Sequence, residues 1–565
     1  VASDHPKHSA HHHASKFTSR QRTIALIIVA LAFIMDLLDS TIVNVAIPSI
    51  QANLGATYAS IQWLTAGYAL AFAVLLITGG RMGDVIGYKK MFLFGVVGFT
   101  FASLLSGLAW SPEVLIGARL LQGATAALMV PQVMSLMQVM YPPKERGAVM
   151  GLFGAMAGLA ASLGPIIGGF LIQWNIAGLD WRPIFLINIP VGIIAFFGAL
   201  KYLPDGKSPH PLKLDILGTL LIIIALSLLI FPLIEGRDLD WPTWVFWSMA
   251  ASIPFFLVFA WWQNYKEKTD KSPLILPSLF RIKSFNVGIL ANIVFEMLML
   301  GFFFTFTLML QIGLGYSVLE AALTGIPTAI GISFAIGFLT QKVVPKLGRY
   351  SMTLGTIIMA IGFVILGWTL QHNTLDTQPL WLTPALLLIG TGMGMTMGLI
   401  FSVTLKDVDP SHAGSASGTL SAIQQLGGAI GIAAIGVLFF GQLSDHAGTS
   451  FDLVAPDIKA AAAKVGAPAP LQDVMAANIR TCYVDRSSQK DPNETPASCK
   501  ALQNQSADPA AKSVGEAIAT ATKKANAENF VNAFTIGTLY ALILIGVSFS
   551  LSFMLPRKIA YDMSH

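Results

Sequence analysis

Apolar runs of about 20 residues follow one another along this chain, separated by short polar connections. They lie roughly at 22–48, 58–80, 89–109, 113–135, 147–173, 183–203, 214–234, 241–263, 284–312, 319–342, 350–370, 381–405, 412–441 and 530–555. A helix needs about 20 apolar residues to cross the hydrocarbon core of a bilayer. The pattern therefore predicts an all-α polytopic membrane protein with 14 transmembrane helices.

The polar connections alternate in charge. One side collects Arg20, Arg22, Arg81, Lys89, Lys90, Lys144, Arg146, Lys201, Lys207 and Lys213. The same side holds Lys266, Lys268, Lys271, Arg281, Lys283, Lys342, Lys346, Arg349, Lys406 and the pair Arg557-Lys558. The short loops of the other side carry only Arg182 and Arg237. Cytoplasmic loops hold the excess of Lys and Arg, so the basic side and both termini are expected in the cytoplasm. The runs then divide the chain into a tail (1–21), a six-helix half (22–203), linkers with two inserted helices (204–283) and five helices of a second half (284–441). A polar loop (442–529), the last helix (530–555) and a second tail (556–565) complete it. Six plus two plus six helices suggest two halves related as parallel repeats, a common transporter plan.

Composition agrees and narrows the function. Charged residues are 12% of the 565 and hydrophobic ones 54%, against about 25% charged in soluble domains; mean hydropathy is +0.66. The net charge of +5 lies in short loops between apolar runs, which is a topology signal and not a nucleic-acid footprint. No phosphate-binding Gly-rich loop with Lys-Ser/Thr and no clustered nucleophile and base is evident, so no enzyme, cofactor or metal site is expected. The first apolar run is too long for a cleavable signal peptide and lacks a small-residue cleavage site. His11-His12-His13 sit in a polar tail that reads as solvated. The 442–529 loop falls on the extracytoplasmic side, where disulfides persist, and Cys482 and Cys499 are expected to pair there. Short helices are expected near 457–465 and 511–529, and Asn493-Glu-Thr495 matches a glycosylation sequon.

Candidate chemistry lies inside the membrane. Asp36 and Asp39 sit in a run free of Lys and Arg from Thr23 to Ile50. Three residues apart, they share a helix face with Ser40 and Val43. An ionised carboxylate at mid-bilayer costs at least about 2.5–3.5 kcal/mol, so it needs water, a proton or a cation. The competing reading is a polar helix contact. Arg119 lies at similar depth, about 9 Å below the start of its helix if that is near Glu113, against about 14 Å for Asp39 measured from Pro48. In the ninth run Glu296 lies about 18 Å along a helix beginning near Ser284. Phe295, Met299 and Phe302 accompany it, a setting that suits a lipophilic cation. The alternative is that the aromatics pack against lipid and Glu296 bonds a neighbouring helix.

Four stretches carry a resemblance. Asp39-Ser-Thr-Ile-Val-Asn44-Val-Ala-Ile-Pro48 resembles the first-span signature of the fourteen-span drug:proton antiporter family within the major facilitator superfamily. Gly80-Arg-Met-Gly-Asp84-Val-Ile-Gly87-Tyr-Lys89-Lys90 resembles the superfamily's loop between spans two and three, with Val85 and Tyr88 where basic residues are usual. Leu115-Ile-Gly-Ala-Arg119-Leu-Leu-Gln122-Gly123 resembles the fourth-span motif, and Gly164-Pro165-Ile-Ile-Gly168-Gly169 the fifth-span motif of exporters. Trp181-Arg-Pro-Ile-Phe-Leu-Ile-Asn188-Ile-Pro190, Asp215-Ile-Leu-Gly218 and Gly414-Ser-Ala-Ser-Gly418 add to it. The resemblance implies proton-coupled efflux of hydrophobic, cationic drugs across the bacterial inner membrane by alternating access. It implies proton coupling at Asp39 and Arg119; the placement of the residues adds Asp36, one turn away, as sharing the load, and substrate binding at Glu296, Phe295, Met299, Phe302 and Asn44. Gating is implied at Gly80, Asp84, Gly87, Lys89, Lys90, Gly164, Pro165, Gly168 and Gly169. Protons, hydrophobic cations and the lipid bilayer are the expected partners. The rivals are a metabolite or lipid transporter on the same fold, a non-transporting receptor, and a subunit that docks a periplasmic adaptor on its outer loop.

Overall fold

A computed structural model describes residues 19–208, 212–374, 377–409, 412–489, 495–503 and 509–555. The histidine tail, Asn493 of the sequon and Arg557-Lys558 lie outside these residues. The described chain is helical, without a strand. The first half comprises α1 (Ser19–Leu54), α2 (Tyr58–Ile86), α3 (Tyr88–Gly107), α4 (Pro112–Met140), α5 (Pro143–Trp174) and α6 (Asn188–Tyr202). The inserted pair is α7 (Ile216–Glu235) and α8 (Thr243–Thr269). The second half begins with α9 (Lys283–Leu308), α10 (Val318–Leu339), α11 (Tyr350–Asn373), α12 (Pro379–Leu405) and α13 (Ala413–Asp445). Beyond them come α14 (Ala455–Lys464), α15 (Ala469–Ser488) and α16 (Pro509–Ser552). Among the described residues 13 helices are long and apolar enough to cross a membrane. The fourteenth span is α5, whose described apolar stretch is Leu163–Trp174.

Two boundaries differ from the sequence reading. Pro48 lies inside α1, which continues to Leu54. The 511–529 and 530–555 segments are parts of the single helix α16, 44 residues long. In both cases the helix outlasts its apolar stretch, because backbone hydrogen bonding does not stop where lipid does.

Close packing is set by small residues. In the first half α2 packs on α4, α3 on α4, and α1 on α5 and α6. A Cβ at Gly164 would stand 2.0 Å from Thr41 Oγ1, and one at Gly168 2.7 Å from Ile42, so these glycines let α5 lie against α1. Gly169 faces the second half, 3.2 Å from Leu319 of α10 by the same measure. Pro165 is partly buried between these contacts. The second half mirrors this: α9 packs on α13, and α11 on α12 and α16. The halves meet through α2 with α13 and α5 with α10, and α7 lies against both α2 and α13.

The α2–α3 loop holds the inserted pair. Gly87 has φ +116°, a backbone region open to glycine, and turns the chain sharply into α3. Arg81 is buried and its guanidinium donates to the carbonyls of Lys213 at 3.1 Å, Ser272 at 3.0 Å, Leu274 at 3.4 Å and Pro273. Asp84 accepts from the Tyr88 hydroxyl at 3.1 Å, and Tyr88 N donates to Gly206 O at 2.8 Å. The Gly80–Lys90 segment thus grips both linkers of the α7–α8 pair, with Tyr88 bonded inside the loop where the resemblance has a basic residue. A Cβ at Gly80 would meet Pro131 at an ordinary 3.5 Å, while Lys89 is half-buried and Lys90 exposed.

A helical cap covers one end of the bundle, opposite the basic loops. It is built from a helix at Ala447–Asp452, α14, α15, a helix at Ala497–Gln503 and the first turns of α16. Phe451, Val454, Ile458, Ile479, Tyr483, Ala521 and Ala525 form its core. Arg480 clasps Asp452 through two bonds of 2.7 and 3.2 Å and holds that carboxyl below its usual range. A disulfide joins Cys482 and Cys499. Between the cap and the α7–α8 turn lies a cavity of about 300 Å³ lined by Arg237, Asp240, Trp241, Ser444 and Ser488. Closing a loop of this size stabilises the folded cap by about 3 kcal/mol in the chain-entropy account. Cys482→Ser is expected to make the cap trypsin-sensitive while the spans stay protected, read on a gel of purified protein. Unchanged digestion kinetics would show that the cap does not depend on the bridge.

Candidate functional site

The first-half site is assembled from five helices. α1 places Asp36 and Asp39 one turn apart, and α4 places Arg119 and Gln122 at the three-residue spacing of one face. α3 brings Ser103, α2 brings Tyr68 and the Leu64 carbonyl, and α6 starts at Asn188. Asp39 and Arg119 are each 1% exposed. The Arg119 Nη1 donates to Asp39 Oδ2, forming a buried ion pair. Gln122 Nε2 donates to Asp39 Oδ1 at 2.7 Å, and Asn188 Nδ2 donates to the same oxygen at 2.8 Å. Arg119 also donates from Nε to Leu64 O at 3.1 Å and from Nη1 to Gln122 Oε1 at 2.8 Å. Ser103 Oγ accepts from Gln122 at 2.8 Å and from Asn188 at 3.3 Å. A buried ion pair is tolerable only when its remaining lone pairs and protons are satisfied, and here the Gln122 and Asn188 side chains and the Leu64 carbonyl do that.

Asp36 is nearly as buried but differently held. It accepts a hydrogen bond from the Tyr68 hydroxyl. The Tyr68 ring lies 4.3 Å from the Arg119 guanidinium carbon, a cation–π contact. Tyr68 therefore touches both acids' surroundings, its hydroxyl on Asp36 and its face on the cation of Asp39.

The second-half candidate is Glu296, about 20 Å along α9 and so near mid-membrane. It is half-buried and has no hydrogen bond or ion pair among the described residues. A Cβ at Gly427 of α13 would lie 3.2 Å from Glu296 Cβ, so that glycine makes room for the acid between the two helices. Met299 and Phe303 are partly buried near its face of α9. Phe295 and Phe302 point elsewhere, into the core of the second half, where Phe302 packs 5.2 Å from Phe306 and 5.1 Å from Phe363. Asn44 is half-buried on α1, two turns beyond Asp36. Near the cap, Gln311, in the π-helical turn Met309–Gly313 that follows α9, donates to Val45 O of α1 at 3.0 Å.

Sequence reasoning paired Asp39 with Arg119 but missed Gln122, Asn188, Ser103 and Tyr68. Gln122 and Asn188 were visible as polar residues inside apolar runs, Gln122 at the spacing that shares Arg119's face. Ser103 and Tyr68 carried no such signal, since single hydroxyls are common in membrane helices.

The comparisons with known proteins agree in kind. A sequence profile described as Major Facilitator Superfamily matches residues 29–432, ending before the cap. The chain is 42% identical over 540 residues to a probable actinorhodin transporter of Streptomyces coelicolor, covering 95% of this chain and 92% of the relative. It is 31% identical to the tetracenomycin C resistance and export protein of Streptomyces glaucescens, over 78% of this chain and 80% of that one. Among solved structures, it is similar to a bacterial homolog of the human lysosomal transporter Spinster in an inward-facing conformation. That match has a TM-score of 0.57 and 16% identity, and covers 95% of this chain and 98% of the other.

Proposed function

The chain belongs to the Major Facilitator Superfamily, and from that premise we propose that it exports hydrophobic, cationic compounds in exchange for protons. It is a multi-pass protein of the cytoplasmic membrane, with its basic loops and both termini assigned to the cytoplasm. The relatives named for transport, resistance and export of antibiotics support the export of drug-like molecules.

One observation carries the coupled reading: each half holds a deep carboxylate site, and the two sites differ in kind. The first half has an acid cluster closed around Arg119, suited to holding charge and a proton. The second half has the unpaired, half-buried Glu296 with Met299 and Phe303 nearby, suited to a cation with an apolar body. Asn44 on α1 faces the substrate path in this reading. Rocking of the halves about the α2–α13 and α5–α10 contacts alternates access, with Gly169 keeping α5 close to α10 and Gly164 and Gly168 holding α5 against α1. The α7–α8 pair, gripped by Arg81, travels with the first half.

The test is ethidium uptake into proteoliposomes whose lumen is more acidic than the bath. Wild-type protein is expected to accumulate the dye and to stop when the gradient is collapsed. Glu296→Gln removes the charge at nearly constant shape. It is expected to lower ethidium transport about tenfold, the equivalent of one 1.4 kcal/mol contact, and to spare a neutral substrate. Equal losses for both substrates would remove cation recognition from Glu296.

A further inference from the structure

We propose that Asp36 is the carboxyl that takes up and releases the proton, while Asp39 stays ionised as the permanent partner of Arg119. This rests on the proton-coupled reading above and reverses the roles that the resemblance implies for the two acids.

The chemistry of the two shells decides it. Every group that bonds the Asp39 carboxylate is an N–H donor: Arg119, the Gln122 amide and the Asn188 amide. A protonated Asp39 would have to aim its O–H at a shell that offers it only more N–H groups. It would also leave Arg119 as a buried cation without its anion, and an isolated buried charge is among the most destabilising features a fold can carry. The amides cannot simply turn round. Gln122 Oε1 already accepts from Arg119, and both amide nitrogens also donate to Ser103.

Asp36 has a partner that serves either state. The Tyr68 hydroxyl donates to the ionised carboxylate. After rotation of its O–H, the same oxygen accepts from the protonated acid, because a phenol is both donor and acceptor. The charged and titratable groups that face Asp36 are Tyr68 from α2, Arg119 from α4 and Asp39 on its own helix. The other helices packed on α1, namely α5, α6, α9 and α10, bring none to it among the described residues. Protonation at Asp36 therefore leaves the Arg119–Asp39 pair intact. Tyr68 keeps its ring on Arg119 in both states, so it is the positioning residue between the exchanging acid and the fixed pair.

The step is a simple acid–base exchange. An O–H bond forms between Asp36 and a proton from hydronium on the extracytoplasmic side, releasing water. After the halves rock, that O–H bond breaks to water on the cytoplasmic side, regenerating hydronium and the carboxylate.

Infrared difference titration of the purified full-length protein tests this, following the carboxylic C=O stretch as pH is lowered. A Glu296→Gln background removes the deep acid of the second half. The expected result is a titrating band that disappears in Asp36→Asn and persists at a shifted frequency in Asp36→Glu. The glutamate variant keeps the test decisive if the asparagine variant folds poorly. Retention of every titrating band in Asp36→Asn, or a band that shifts in Asp39→Glu, overturns the assignment. If the band belongs to Asp36 but ethidium distributes without regard to the pH gradient, proton-coupled export falls and the assignment of the proton stands.

Discussion

Arg119→Ala is expected to abolish gradient-driven ethidium transport and to lower the stability of the first half by about 3–5 kcal/mol, the usual cost of breaking a buried ion pair from one side. The reason lies in what is left behind. Asp39 would keep two amide donors but lose its cation at 1% exposure, and Tyr68 would lose the guanidinium over its ring. Thermal unfolding in detergent and flux in proteoliposomes measure the two losses separately. Asp39→Asn alone leaves the opposite defect, a buried cation without its anion. Combining Asp39→Asn with Arg119→Ala removes both charges, so the double variant is expected to be more stable than the sum of the single losses predicts. It should still not transport. Full additivity, or wild-type stability in Arg119→Ala, would show that the pair is not energetically coupled.

Gly123→Ala is expected to be nearly as damaging although it adds one methyl group. A Cβ there would stand 2.3 Å from the Tyr68 carbonyl oxygen and 3.0 Å from its carbonyl carbon. Both are backbone atoms that cannot rotate aside, so α4 and α2 must separate. Overpacking of this sort costs about 1–3 kcal/mol. The transport loss should exceed what that figure suggests, because the displaced helices carry Arg119, Gln122 and Tyr68. Gly117→Ala on the same helix is the control, since a Cβ there meets nothing within 4 Å. Equal behaviour of the two variants in flux and thermal assays would mean that the α2–α4 approach does not set the site.

The spans, the deep acids and the Asp39–Arg119 pair were legible because charge in an apolar run is rare and depth follows from helical rise. The shell around Asp39 was not, because its members come from three further helices and are brought together only by packing. Gln122 lies 83 residues from Asp39 and Asn188 lies 149 residues away. The orientation of α9 was hidden for another reason. Apolar residues surround that helix on every side, so no polar stripe fixes its rotation, and Phe295 and Phe302 proved to face the core. The linkers were read as connectors. That Arg81 would satisfy their carbonyls was beyond reach, since four backbone acceptors leave no trace in side-chain identity.

The length of α16 makes the cap a pointer on a dial. Its first 20 or so residues stand beyond the apolar segment and extend about 30 Å at helical rise. They are continuous with a span that packs on α9, α11 and α13. Any tilt of the second half is therefore magnified at the tip, by about 5 Å for each ten degrees over that length. The cavity at the α7–α8 turn gives the pointer room to swing. A fluorophore pair on the cap and on that turn would then follow each turnover from outside the membrane, far from the chemistry it reports.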